Sequence, residues 1–225
     1  MELSPLQLEI LEAVKSSGLG KTFYWTGGTL LAHCYLHHRR SFDLDFFTET
    51  KFTREKIEPF VTDLKKRLSL PSIPEKRIFD RWEFLIDNGK EQTRCEFVYY
   101  NGEKKRLAAL GQYRGLRIDS LEDMAANKTM AYADRNEPKD LLDLYELLVQ
   151  KKFTVAQLLE LVEKKFGVNW SEFMFWSEST KGLKQLETLG PYLLETSSQK
   201  QEEFLQKVRY FFMDRGRDFL SRSLA

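Results

Sequence analysis

Residues 26–47, TGGTLLAHCYLHHRRSFDLDFF, combine two local patterns that together leave few folds open. Gly27 and Gly28 follow the run Thr22-Phe23-Tyr24-Trp25 and precede Thr29-Leu30-Leu31-Ala32, so they stand where a strand at about 22–26 turns into a helix ending near residue 38. Further on, Ser41-Phe42-Asp43-Leu44-Asp45-Phe46-Phe47 alternates polar and apolar residues with period two, the mark of a half-buried strand. Asp43 and Asp45 are then expected on one face, with Phe42, Leu44 and Phe46 on the other. Adjacent carboxylates repel unless a cation sits between them, and hard oxygen ligands on a rigid strand suit Mg²⁺ or Mn²⁺. Glycine at a helix start lets backbone N–H groups come close to a phosphate. The stretch reads as a metal-phosphate site on a strand-turn-helix-strand unit.

The flanking sequence supplies the rest of that unit. Ser4 and Pro5 predict a helix start, and Leu6, Ile10, Leu11 and Val14 form its apolar face. Thr53 is expected to cap a helix to about Leu68 with Ile57, Phe60, Val61, Leu64 and Leu68 facing inward. Runs 76–86 and 92–100 read as strands joined by Asp87-Asn88-Gly89-Lys90, a strong hairpin signal. In the second run Arg94, Glu96 and Val98 alternate with Cys95, Phe97 and Tyr99. Glu96 is therefore the preferred third carboxylate, as metal ligand or proton acceptor, and Glu83 in Arg81-Trp82-Glu83-Phe84 is its competitor. The bland alternative for Glu96 is an edge-strand glutamate paired with Arg94 or Arg114.

After a loop of mixed basic residues, Asp119-Ser120-Leu121-Glu122 opens a helix to about Asp134, with Lys128, Tyr132 and Arg135 sharing a face. Asn136-Glu137-Pro138 starts another, placing Asp140 and Asp143 one turn apart while Leu141, Leu144 and Leu148 pack inward. From about 151 the pattern is helical throughout. The expected fold class is α+β, with a small mixed sheet and its helices over residues 1–150 and a helical domain over 151–225.

A chain of 225 residues with 42% hydrophobic and 31% charged residues has the makeup of an ordinary globular protein. Net charge is +1, so no global field advertises a polyanion or a membrane. With only two cysteines, Cys34 and Cys95, a disulfide framework is not indicated and a cytoplasmic location is expected. His33 and His37 stand four apart on the expected helix, but zinc needs three or four converging ligands and no others accompany them.

The segment from Gly27 to Phe47 resembles the signature of the nucleotidyltransferase superfamily. More narrowly, Gly27-Gly28-Thr29 followed by His38-Arg39-x-Ser41-x-Asp43-Leu44-Asp45-Phe46-Phe47 is similar to the AbiEii/AbiGii toxin family. That family's second signature recurs at Lys128, Arg135, Lys139-Asp140 and Asp143. The resemblance implies a nucleotidyltransferase-type sheet and transfer of a nucleoside monophosphate from an NTP. Asp43 and Asp45 would bind metal, with Glu96 as a third carboxylate. Gly27, Gly28, Thr29, Ser41 and Arg39 would hold the triphosphate, joined by Lys128 and Asp140. It also implies a toxin-like enzyme, with the tRNA acceptor end as a candidate acceptor and a separate antitoxin protein as partner.

Three alternatives stand beside these assignments. The acceptor could be a small molecule of the aminoglycoside type, or the chain could bind NTP without turnover. Lys128, Arg135, Asp140 and Asp143 could form a charged interhelical network and no more. The aromatic and basic residues Trp170, Phe173, Phe175, Trp176, Arg209, Tyr210 and Arg215 could grip a nucleic acid, although aromatics at helical spacing more often form a core.

Overall fold

In a computed structural model, residues 2–100 and 106–223 are described; residues 101–105, in the expected basic loop, lie outside them. The chain divides into two compact units, one of residues 1–37 and 41–121 and the other of 38–40 and 122–225. The division falls after residue 121 rather than at the expected 150, because the two helices of the second signature pack with the later helices.

The first unit is a mixed seven-stranded sheet with helices. Helix α1 (Pro5–Ser16) begins with the expected cap: Ser4 Oγ accepts from the Gln7 amide, and the Gln7 side chain accepts from the Ser4 amide. Strand β1 (Tyr24–Thr26) leads through the glycine turn into α2 (Gly27–Leu30). The helix does not continue as regular α-helix to residue 38. It widens into a π-helical segment, Leu31–Leu36, and stops where His37 takes a left-handed conformation with φ 54°.

Strand β2 (Leu44–Thr48) follows, with Leu44, Phe46 and Thr48 buried. It starts later than expected, so Phe42 lies outside it and is exposed rather than facing the core. Helix α3 (Arg54–Leu68) starts after Thr53, whose side chain makes no cap hydrogen bond, and buries Ile57, Phe60, Val61 and Leu64 as the periodicity predicts, while Leu68 in its last turn is only half-buried. The expected strand over 76–86 is two strands, β3 (Glu75–Ile78) and β4 (Arg81–Asp87), separated by a turn at which Phe79 has φ 50°.

Strand β5 (Gln92–Tyr99) completes the predicted hairpin with β4. At its turn Gly89 has φ 79°, and Asn88 Oδ1 accepts from the amides of Lys90 and Glu91. Two three-residue strands, β6 (Gly111–Tyr113) and β7 (Leu116–Ile118), escape sequence reading because they are too short to display a period.

The strand order β3-β4-β5-β2-β1-β7-β6 places β2 and β5 side by side and parallel, inside the sheet. On the apolar face Phe46 stacks on Phe97 with ring centroids 5.3 Å apart, and Phe23 and Phe60 meet Phe97 edge-on. Each such aromatic pair adds about 0.5–1.5 kcal/mol beyond area burial, which pins the register of the strands that carry the polar face.

The second unit contains α4 (Leu121–Arg135) beyond its first residue, α5 (Pro138–Val149), α6 (Val155–Phe166), α7 (Glu172–Gly182) and α8 (Ser198–Ser223). A 3₁₀ segment, Leu183–Tyr192, joins the last two. Thr154 caps α6 through a second reciprocal box with Gln157. In α5 the buried set is Leu141, Leu142, Leu144 and Leu147, so the inward face is broader than predicted, and Leu148 is only half-buried. Trp170, Phe175 and Trp176 are buried and form core contacts with one another and with Phe212. Of the candidate nucleic-acid aromatics, Phe173 and Tyr210 are exposed.

Candidate active site

Strand register builds the polar face. Asp45 on β2 pairs in register with Glu96 on β5, which pairs in turn with Glu83 on β4, and on the other side Asp45 stands opposite Thr26 of β1. Register partners share a face, so Asp45, Glu96 and Glu83 form one row across adjacent strands. Sequence reasoning treated Glu96 and Glu83 as competitors; the sheet puts both in line with Asp45. Asp43 lies just before β2 rather than within it, and its carboxylate is held from the neighbouring strand by Arg94 Nη2 at 2.6 Å.

Gly27 has a structural reason that its sequence does not reveal. Its φ is +80°, a conformation that L side chains rarely adopt, and the space a Cβ would fill is taken by the Asp45 carboxylate. The glycine turn and the aspartate strand are thus fitted to each other. Thr29 Oγ lies 2.9 Å from Ser41 Oγ and donates to the Asp43 backbone carbonyl, tying the start of α2 to the approach of β2. Thr26 Oγ donates to Asp119 Oδ2 at 2.8 Å, and the Asp119 amide donates to the Trp25 carbonyl. Asp119 was read from sequence only as a helix start, and its pairing across the sheet has no local signal.

Glu96 lies on an interior strand, not an edge. It is buried, with Oε1 3.3 Å from Arg94 Nε and Oε2 accepting from Arg81 Nη1 at 3.1 Å. The pairing with Arg94 is the one foreseen; Arg81 takes the place given to Arg114. Burial opposes the charge on Arg94, but Asp43 and then Glu96 outweigh it and raise its pKa.

Among the described residues, no group of three or more His, Cys, Asp or Glu is arranged as it stands to hold a metal ion. The donor chemistry of Asp43, Asp45 and Glu96 nonetheless fits a hard divalent cation: all are carboxylates, and a guanidinium already meets Asp43 and Glu96. His33 Nε2 is 2.8 Å from the Tyr113 hydroxyl, within an aromatic group that includes Trp25. A depression of about 630 Å³ along the solvent side of α3, lined by Arg54, Glu58, Pro59 and Lys66 among others, includes none of the carboxylate row.

The second signature forms its own cluster in the second unit. Lys128 Nζ lies 2.8 Å from both Asp140 Oδ1 and Asp143 Oδ2. Arg39 grips Asp143 with Nε at 2.7 Å and Nη2 at 3.0 Å, a forked arrangement, while Arg135 takes Asp140 Oδ2. His38 Nε2 lies 2.6 Å from Asp143 Oδ1. Both aspartates are fully buried.

Burial works against a charged Asp143, but Arg39 and Lys128 outweigh it and hold the carboxyl well below its usual range. For Lys128 the burial penalty is outweighed by Asp143 and Asp140, which raise its pKa. Burial dominates at His38 and lowers its pKa, so the ring is neutral and donates from Nε2. Its buried Nδ1, which has no hydrogen-bond partner, is then a bare acceptor rather than a stranded N–H. Lys128, Arg135, Asp140 and Asp143 thus meet as a charged cluster, joined by Arg39 and His38.

The fold has solved counterparts. A nucleotidyltransferase candidate from H. pylori superposes with a TM-score of 0.56 at 19% identity, covering 97% of this chain and 98% of that one. JHP933 from Helicobacter pylori gives 0.55 at 20% identity over 99% and 97% of the two chains. These likenesses establish a nucleotidyltransferase-type fold. The family model for the nucleotidyl transferase AbiEii toxin of type IV toxin-antitoxin systems matches residues 9–215, and the chain belongs to that family. An uncharacterized protein of Aquifex aeolicus (strain VF5), aq_aa25, is 29% identical over 93% of this chain and 98% of its own length.

Proposed function

We propose that this protein transfers a nucleoside monophosphate from an NTP to an acceptor hydroxyl, with release of pyrophosphate, and that it acts as the toxin of a toxin-antitoxin pair. The observation that carries the reading is the fit of Gly27 against the Asp45 carboxylate, in register with Glu96. That arrangement joins a phosphate-compatible turn to a carboxylate row, and it suits phosphoryl chemistry better than a solvated strand face would.

Asp43, Asp45 and Glu96 would hold Mg²⁺ or Mn²⁺. Such an ion, when bound, polarises the α-phosphate, binds the outgoing pyrophosphate and lowers the pKa of the attacking hydroxyl. The acceptor oxygen forms a bond to the α-phosphorus as the bond to pyrophosphate breaks, and the hydroxyl proton passes to a nearby base. Glu96, both of whose oxygens meet arginines, would act as the third ligand or as that base.

Gly27, Gly28, Thr29 and Ser41 would hold phosphate oxygens through N–H and hydroxyl donors. Lys128, whose ammonium is fixed by Asp140 and Asp143 with Arg39 fixing Asp143, is proposed to contribute positive charge to nucleotide binding. The tRNA acceptor end is the proposed acceptor, an antitoxin protein the proposed partner, and the cytoplasm the proposed location. No helix among the described residues is long and apolar enough to cross a membrane.

The test is incubation with each α-³²P-labelled NTP and Mg²⁺ or Mn²⁺, with total RNA and lysate as acceptors, for wild type and Asp43→Ala/Asp45→Ala. Label on tRNA that depends on both aspartates supports the full reading. Label on a small molecule alone moves the acceptor, and absence of transfer to any acceptor refutes the enzyme. Expression should arrest growth, and the double substitution should relieve the arrest.

A further inference from the structure

Like charges placed opposite one another on neighbouring strands are destabilising, and the row Asp45, Glu96, Glu83 does this across β2, β5 and β4. Arg94 answers two of its members, Glu96 and Glu83, and Asp43 beside it. From β5, one residue pair away, its guanidinium meets Asp43 Oδ2 at 2.6 Å and Glu96 Oε1 at 3.3 Å, and Nη1 lies 4.0 Å from Glu83 Oε2. Glu96 has a second cation in Arg81 and does not depend on Arg94 alone.

The arrangement is open to solvent where it would have to move. The Arg94 side chain is 44% exposed and that of Asp43 37%, whereas that of Glu96 is 6% exposed and fixed. A guanidinium on a long stem can change partners at such a place at little cost, because exposed ion pairs are individually weak. Glu83, half-buried and already near Nη1, is the nearest alternative partner.

We propose that Arg94 is the built-in counter-cation of the carboxylate site: it neutralises Asp43 and Glu96 in the metal-free protein and moves to Glu83 when a divalent cation enters. The inference rests on the metal reading given above. It gives Glu83 a role that is neither ligand nor base, as the acceptor of the displaced arginine. It also makes the apparent metal affinity a competition between an internal monovalent cation and the incoming divalent one, so that the site stays neutralised in either state.

The experiment is titration of the full chain with Mn²⁺, following free Mn²⁺ by electron paramagnetic resonance, for wild type, Arg94→Gln, Arg94→Lys, Glu83→Gln and Asp43→Asn. Removing a competing positive charge at this screened position is expected to tighten Mn²⁺ binding about tenfold in Arg94→Gln. Arg94→Lys should stay close to wild type, and Glu83→Gln should bind about threefold more weakly. Thermal unfolding adds an independent readout: Arg94→Gln should melt lower without metal and gain more from Mn²⁺ than wild type does.

Equal or weaker Mn²⁺ binding by Arg94→Gln, with binding lost in Asp43→Asn, overturns the inference and leaves the metal reading standing. If Arg94→Gln does not fold, unchanged Mn²⁺ affinity in Glu83→Gln overturns it instead. Absence of saturable Mn²⁺ binding in wild type refutes the metal reading itself, and the inference with it.

Discussion

The molecule holds two groups of opposite charges that look alike as lists of residues and differ in kind. In the first unit, Arg94 and Arg81 answer Asp43, Glu96 and Glu83 at an exchangeable, partly open position. In the second, Lys128, Arg39, His38 and Arg135 surround Asp140 and Asp143, whose side chains are fully buried. Water can replace a lost partner at Arg94 and Asp43 in the first group, and cannot at Asp140 and Asp143 in the second. The first is therefore suited to exchanging ions, and the second to holding a geometry.

The largest difference is expected on deleting one carboxylate from each group. Asp143→Ala should cost about 3–5 kcal/mol, because Arg39 and Lys128 are left buried with one aspartate between them. Asp43→Ala should cost no more than about 1 kcal/mol, since Arg94 keeps Glu96 and solvent. Urea unfolding of both variants measures the contrast, and equal losses would break it. Activity should rank them the other way for properly folded protein, with Asp43→Ala falling about 10³-fold in transfer rate.

Gly27→Ala comes next. A left-handed φ and a Cβ directed into the Asp45 carboxylate should cost about 1–3 kcal/mol and displace Asp45, so transfer should fall together with stability. Wild-type transfer by this variant would show that the glycine is only a turn.

Acid tests the second group. The folded-state pKa of His38 lies below its unfolded value, so the unfolded chain takes up the proton more readily, and stability should decline as pH falls below about 6.5. The Asp143 pKa is also depressed when folded, so its contribution is complete above about 3.9 and is lost as pH falls further through its folded value. The two losses should appear in sequence in a pH series of urea midpoints, and His38→Gln should remove the first. The smallest effect is expected at Arg54, whose side chain pairs with Glu58 and Glu75 at the surface; Arg54→Ala should change stability by about 0.2–1 kcal/mol.

Local chemistry made much of this legible in the sequence. The Ser4 cap, the Asn88-Gly89 hairpin and the inward face of α3 up to Leu64 each depend on residues a few positions apart, and each stands as expected. The Asp43, Asp45 and Gly27 pattern was likewise visible, because period and composition carry it. The sequence pattern starts β2 a few residues early and makes α2 a regular helix, since neither the π-helical widening nor the stop at His37 has a compositional mark.

What the sequence determined by itself was the set of elements, the hydrophobic face of each, and the residue types able to carry phosphoryl chemistry. Only tertiary structure decided which charges meet. The row Asp45, Glu96, Glu83 depends on β2 and β5, far apart in the chain, lying side by side, and Arg39 reaches Asp143 across more than a hundred residues. Pairing of that kind is fixed by register and burial, because a strand slipped by one residue turns each carboxylate to the other face. The same alternating pattern would have read equally well with the charges apart.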